Sequence, residues 1–486
     1  MRLLSLSSKV EREKMSLRKP KIGFMICTSH VEVKNELGVI YAIHGMAEIA
    51  ARKLEESGVK VIRYKELIEG DVKGWRVDDF NEDAIVSNDI RANEAFDKFC
   101  KEDVDCVVMF FSAYAWASVY MQGIRRINKP ILLWSGSVIE GDPATGLFAL
   151  KGALDVVDID YKAVYGNPDE KSIISEVLTF IKASMVKNIL SRSKFGQWGS
   201  NPMGMFASVL NDWQWLKKFG IIAEHLECQT IEKVALKIPD EQCVEIYNNL
   251  KNRAKRLPPF ENETIKKNIK FYLAHKELVK KYNLDFDGIK CFFEIADSFT
   301  CPCIGHALIW DEGYVSGCCT EPMGSLTMYI ARLLTDNKTT IYQGDITQIE
   351  KATGIVRMVT SAGAPLNMAN ELGFDICLAP NFGEGEAEMY WTKLRGRKGI
   401  VCLARLYWVK DEFVMLIAKG NAVDTDESFV NGSGWPSGPF VTLKLDGDPI
   451  KFLDNVRHQY NHLIYADIVD ELIDVCKVLK IRAIVC

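Results

Sequence analysis

The chain has 486 residues, 48% of them apolar and 26% charged. That balance excludes a disordered, a collagenous or a membrane-embedded chain, and at roughly 150 residues per domain it predicts about three domains. With 60 basic against 65 acidic residues the net charge is -5, so nothing global attracts the chain to nucleic acid or anionic lipid. The best local basic candidate, residues 393–398, reads as a solvated turn.

The first strong signal is the apolar run 21–28, a buried strand followed by helical spacing over 37–58 and a second strand at 59–62. Further strands at 105–111 and 130–134 flank a helix at 115–127. Strict alternation of strand and helix predicts a parallel sheet covered on both faces. The pattern restarts at 195–199, with a helix after Asn201-Pro202 and a long charged helical stretch from 241 to 282. The run 288–294 reads as a strand ending in Glu294, and ligands of open parallel sheets sit at such carboxyl ends. An ordinary loop ion pair is the competing reading for Glu294.

After residue 346 helical patterns thin out. The runs 399–406 and 412–418 predict an antiparallel pair turning at Asp411-Glu412. Residues 432–439 read as a loop, and a helix at 468–479 precedes a last strand at 482–485. Three domains are therefore expected: an α/β unit at 1–181, a second α/β unit at 182–346, and a mostly antiparallel β unit at 347–486.

Fourteen cysteines are dispersed along the chain, and residues 1–21 lack the apolar core of a secretory signal. A reduced, cytoplasmic protein is the expectation. Cys301-Pro302-Cys303 and Cys318-Cys319 together invite a four-thiolate metal site. Two arguments weigh against it: the spacing is not CxxC, and adjacent side chains on a strand point to opposite faces.

Phosphate-loop, dinucleotide-binding, nucleophile-elbow and HExxH motifs are all missing from the sequence. The most suggestive stretch is 313–328, where a strand leads into a turn bearing Glu321 and then a helix. Asp345 follows at the end of another run. The intervening helix makes this a βαβ unit, which sets both carboxylates at the tips of neighbouring parallel strands. With one imidazole they would suit Mn²⁺ or Mg²⁺. A helix-capping Glu321 and a turn Asp345 form the plain alternative. His458 and His462 bracket the approach to the final helix, whereas His225 and His275 read as structural.

Residues 130–134, 146–166, 196, 203–205, 294, 317–328, 345, 399–420 and 466–472, in that order and spacing, resemble the L-fucose isomerase and L-arabinose isomerase superfamily. The resemblance implies two Rossmann-like domains and a β-barrel-like third, assembled as homotrimers or homohexamers. It also implies Mn²⁺-dependent interconversion of an aldose monosaccharide with its ketose, of the L-fucose, D-arabinose or L-arabinose type. The family's metal ligands are a Glu, an Asp or second Glu, and a His. Asp345 matches the second. Aligning on Gly324 to Met328 puts Cys319 at the first, unless a two-residue shift lets Glu321 substitute. The third falls at Tyr460, with His458 and His462 two residues to either side. The departures leave open a sugar-binding or regulatory relative, or a different carbohydrate enzyme using Cys319.

Overall fold

The computed structural model describes residues 18–29, 37–67, 81–137, 142–200, 204–360, 363–379 and 388–486. Asn201, Pro202 and Met203, to which the sequence assigns a helix start and part of the family resemblance, lie outside them. The chain forms two compact units, residues 18–189 and residues 190–486.

In the first unit six parallel strands form one sheet: β1 (Lys21–Cys27), β2 (Lys60–Arg63), β3 (Ile85–Val86), β4 (Cys106–Phe111), β5 (Ile131–Ser135) and β6 (Lys162–Tyr165). Their order is β2-β1-β4-β5-β6, with β3 also pairing β1. The central strands β4 and β5 are buried at every position, as an unbroken apolar run covered on both faces requires. The helix Lys171–Leu190 closes this unit. It runs straight through the boundary expected at 181, because buried Phe180, Ile181, Ser184 and Met185 continue its apolar stripe.

The second unit opens with β7 (Lys194–Trp198), β8 (Ile222–Leu226), β9 (Phe286–Ile289) and β10 (Ser316–Cys318), all parallel in the order β10-β9-β7-β8. The charged stretch expected as one helix is two, Val244–Arg253 and Glu263–Tyr282. Pro258 and Pro259 stand between them and cannot continue a helix. Asn262 caps the second, accepting the Ile265 N–H at 3.0 Å.

The rest of the chain builds β11 (Ile341–Glu350), β12 (Ile355–Val359), β13 (Ala369–Leu378), β14 (Tyr390–Gly396), β15 (Gly399–Val409), β16 (Glu412–Val423), β17 (Phe440–Leu445), β18 (Tyr460–Ile464) and β19 (Arg482–Val485). Six of them close on themselves, β11-β12-β17-β16-β15-β18 and back to β11, each pair antiparallel. Closure leaves no free edge within the ring. The fold is therefore α/β, with two parallel sheets followed by a largely antiparallel, barrel-like sheet.

Three expectations change here. β11 is a barrel strand, not a parallel neighbour of β10, so Glu321 and Asp345 do not cap adjacent tips of one sheet. The helix Pro322–Leu334 packs on β15 and β18 as well as β9, and the chain leaving it enters the barrel at Ile341, ahead of the boundary expected at 346. The basic run 393–398 is not a turn either: its first four residues end β14, where Arg395 is buried and paired with Glu427 at 2.8 Å. One continuous apolar core joins this sheet to the barrel, from Trp198, Ile231 and Phe271 to Leu403, Leu416 and Leu463. Among the described residues no helix is long and apolar enough to cross a membrane.

Candidate functional site

The turn after β10 and the barrel strands β11, β15 and β18 meet in the second unit. Pairing registers Gln343 with His462 and Asp345 with Tyr460. Residues two apart on a strand share a face, so these four side chains lie on one face of the barrel sheet. Gln343 reaches the turn: its side chain accepts the Cys318 N–H at 3.1 Å and donates to the Cys318 carbonyl at 3.3 Å. Tyr460 reaches it too, with its hydroxyl 3.7 Å from the Cys319 sulfur.

The turn itself is strained. Cys319 and Thr320 both have left-handed backbones, with φ of 57° and 48°, a conformation that costs an L-residue roughly 1–2 kcal/mol. It is held by the Thr320 N–H on the Ile289 carbonyl and the Thr320 hydroxyl on the Trp198 carbonyl, each at 3.1 Å. The left-handed step at Cys319 breaks strand alternation, and the Cys318 and Cys319 sulfurs end 3.6 Å apart instead of on opposite faces. Cys291, just past β9, joins them: the three sulfurs lie within 4.8 Å of one another, all buried. Hydrogen bonds from Cys318 and Cys319 hold the Cys291 thiol below its ordinary value. Cys301 and Cys303, 3.7 Å apart, belong to the same buried cluster. All fourteen cysteines are free thiols.

Glu321 is wholly buried. It caps the helix Pro322–Leu334 by accepting the Gly324 N–H, and the same oxygen receives Arg405 at 2.5 Å. A side chain on Gly324 would collide with Glu321, Arg405 and the His462 ring, which shows how closely these groups converge. For Glu321 the capping alternative is what the structure holds, whereas Asp345 lies inside strand β11 and not in a turn. Arg405 is absent from the residues that the sequence singles out. Its one signal there is a lone charge inside the apolar run 400–407.

The histidines are both neutral. His458 accepts the Tyr460 N–H at Nδ1 (3.1 Å), which puts the proton on Nε2, 2.8 Å from the Ser208 hydroxyl. Burial, then the Arg405 charge, lower its pKa to about 4. His462 is fully buried and drops well below the ordinary value for the same reasons, with the Ala404 backbone acting in the opposite direction. Asp345 is partly exposed in mid-strand, and burial followed by the nearby Cys319 pushes its carboxyl up to about 7. Glu294 lies elsewhere, in the turn after β9 and not at a strand tip. It pairs with Lys290 at 2.6 Å and lines a cleft of about 400 Å³ with Gln197, Ser200 and Glu227.

The three positions that align with the family's metal ligands come together, but as Cys319, Asp345 and Tyr460. A thiol and a phenol are poor donors for Mn²⁺, and Glu321 is committed to a buried guanidinium. The residues present therefore do not fit a hard-oxygen Mn²⁺ centre.

The chain is 24% identical over 392 residues to the sulfoquinovose isomerases of Priestia aryabhattai and Priestia megaterium, covering 78% of this chain and 85% of each relative. It is also 24% identical over 416 residues to that of a Clostridium species, covering 80% and 88%. No known family profile matches it. The chain is an isomerase. These relatives place it, at the coarse level, among the sugar isomerases, and the sugar-binding or regulatory alternative gives way.

Proposed function

We propose that this isomerase interconverts an aldose and its ketose, and that the aldose is sulfoquinovose. The carrying observation is the extent of the likeness, about four-fifths of both chains, to enzymes bearing that name. The reaction moves a proton from C2 to C1 through an ene-diol, so it needs a carboxylate within reach of both carbons. Asp345 suits that role, because it is partly exposed and shares its face with Tyr460 and His462. Glu321 is sealed behind Arg405 and serves to position the helix. The test is NMR of sulfoquinovose with the enzyme in D₂O, with L-fucose and L-arabinose alongside. Exchange at C2 and ketose formation with sulfoquinovose, lost by at least about 100-fold in Asp345→Asn, is the expected result. Full activity in that variant would remove Asp345 from the chemistry, and turnover of L-fucose alone would overturn the substrate assignment.

A further inference from the structure

Free cysteine behaves as a small hydrophobe, and scattered buried thiols need no explanation. Cys291, Cys318 and Cys319 are different. Cys291 comes from the segment after β9, Cys318 ends β10 and Cys319 opens the turn that follows, and all three sulfurs meet in one buried space. Two of them are adjacent in sequence and share that space only because Cys319 and Thr320 adopt left-handed backbones without being glycine or asparagine. Backbone strain of this kind persists only where the surroundings impose it and gathers at functional sites. Here Gln343 grips the backbone of Cys318 on one side, and the backbones of Ile289 and Trp198 grip Thr320 on the other.

We propose that Cys291, Cys318 and Cys319 form a binding site for a thiophilic d¹⁰ metal ion of the Zn²⁺ class. Zinc–thiolate bonds of about 2.3 Å in a tetrahedral arrangement place sulfurs roughly 3.8 Å apart, and the Cys318–Cys319 separation of 3.6 Å is already close to that edge. In this buried space a Zn²⁺ ion offsets two of the three thiolate charges, which favours the metal-bound set over free thiolates. Cys319 stands where the resemblance expects a Glu, so the site replaces hard-ligand chemistry with soft.

The experiment uses the full-length protein, purified under reducing conditions from zinc-supplemented cells without chelator. Elemental analysis should find about one equivalent of zinc. The metal-free protein titrated with Co²⁺ should develop thiolate-to-cobalt charge-transfer absorption. Cys291→Ser, Cys318→Ser and Cys319→Ser, each checked for native far-UV circular dichroism, should lower zinc affinity by at least about 10-fold. Cys402→Ser, in barrel strand β15, should retain the metal. Protein that holds no zinc and gives no charge-transfer band with Co²⁺ would overturn the site, as would zinc retained by all three serine variants. The wild-type cobalt titration decides the matter even if a variant fails to fold. None of these readouts involves turnover, so failure here is distinguishable from failure of the isomerase assignment.

Discussion

At the scale of single residues, the Glu321–Arg405 pair decides more than either catalysis or capping alone requires. Both groups are wholly buried, and a buried ion pair is weak evidence for stability until one partner is removed. Arg405→Met leaves the Glu321 carboxylate in an apolar setting with only the Gly324 N–H, and should cost about 3–5 kcal/mol in urea unfolding. Glu321→Gln should cost a similar amount, because the Arg405 guanidinium, which cannot shed its proton, is then buried without a counter-charge. Near-wild-type stability in either variant would contradict this account. The pair also marks the limit of what the residues disclose by themselves. Asp345, His458, His462 and Glu321 are all legible as chemistry-bearing positions, yet spacing cannot say that Glu321 faces an arginine 84 positions away. Likewise, no glycine or asparagine announces the left-handed turn at Cys319, so the rule that adjacent strand residues diverge argues against the thiol cluster that the structure contains.

The β15–β16 hairpin shows what is readable at the scale of elements. Two long apolar runs separated by a charged pair predict antiparallel pairing, and eleven registered pairs from Gly399 with Ala422 to Val409 with Glu412 bear that out. The turn is one residue earlier than the reading, at Lys410-Asp411, where φ is 47° and 65°. Positive φ at both central residues is the two-residue hairpin turn that matches the twist of its strands, and it prefers Asn-Gly. Lys410→Asn with Asp411→Gly should therefore stabilise the protein by about 0.5–1 kcal/mol in urea unfolding. An unchanged or lowered midpoint would mean that Lys410 and Asp411 make surface contacts outweighing the strain. By contrast, the destination of β11 is not readable. A strand after a helix looks the same whether it rejoins the parallel sheet or starts a barrel, because the difference lies in partners 115–123 residues further along β18.

For the whole molecule, the barrel and second sheet share one core, and into it the fold draws histidines that stay neutral. His306 is one of them. It sits 1% exposed on the helix Cys303–Asp311, packed against the Phe271 and Trp310 rings at 5.8 and 5.5 Å. Its Nε2 has no hydrogen-bond partner. Burial lowers its pKa to about 4, whereas an unfolded histidine titrates near about 6.5. Between those values the unfolded chain binds a proton that the native one refuses, so stability falls as the pH drops through that window and is unaffected above it. At about 1.4 kcal/mol per unit, the contribution at pH 5 is about 2 kcal/mol. Other groups titrate in the same range, Asp345 in the opposite sense, so the wild-type profile alone does not isolate the effect. His306→Phe does: it keeps a ring between Phe271 and Trp310 and removes the titrating nitrogen. Urea unfolding at pH 7.5 and pH 5 should show the variant gaining about 2 kcal/mol on the wild type at the lower pH. Parallel pH dependences in the two proteins would mean that His306 is protonated in the native core and finds a partner there.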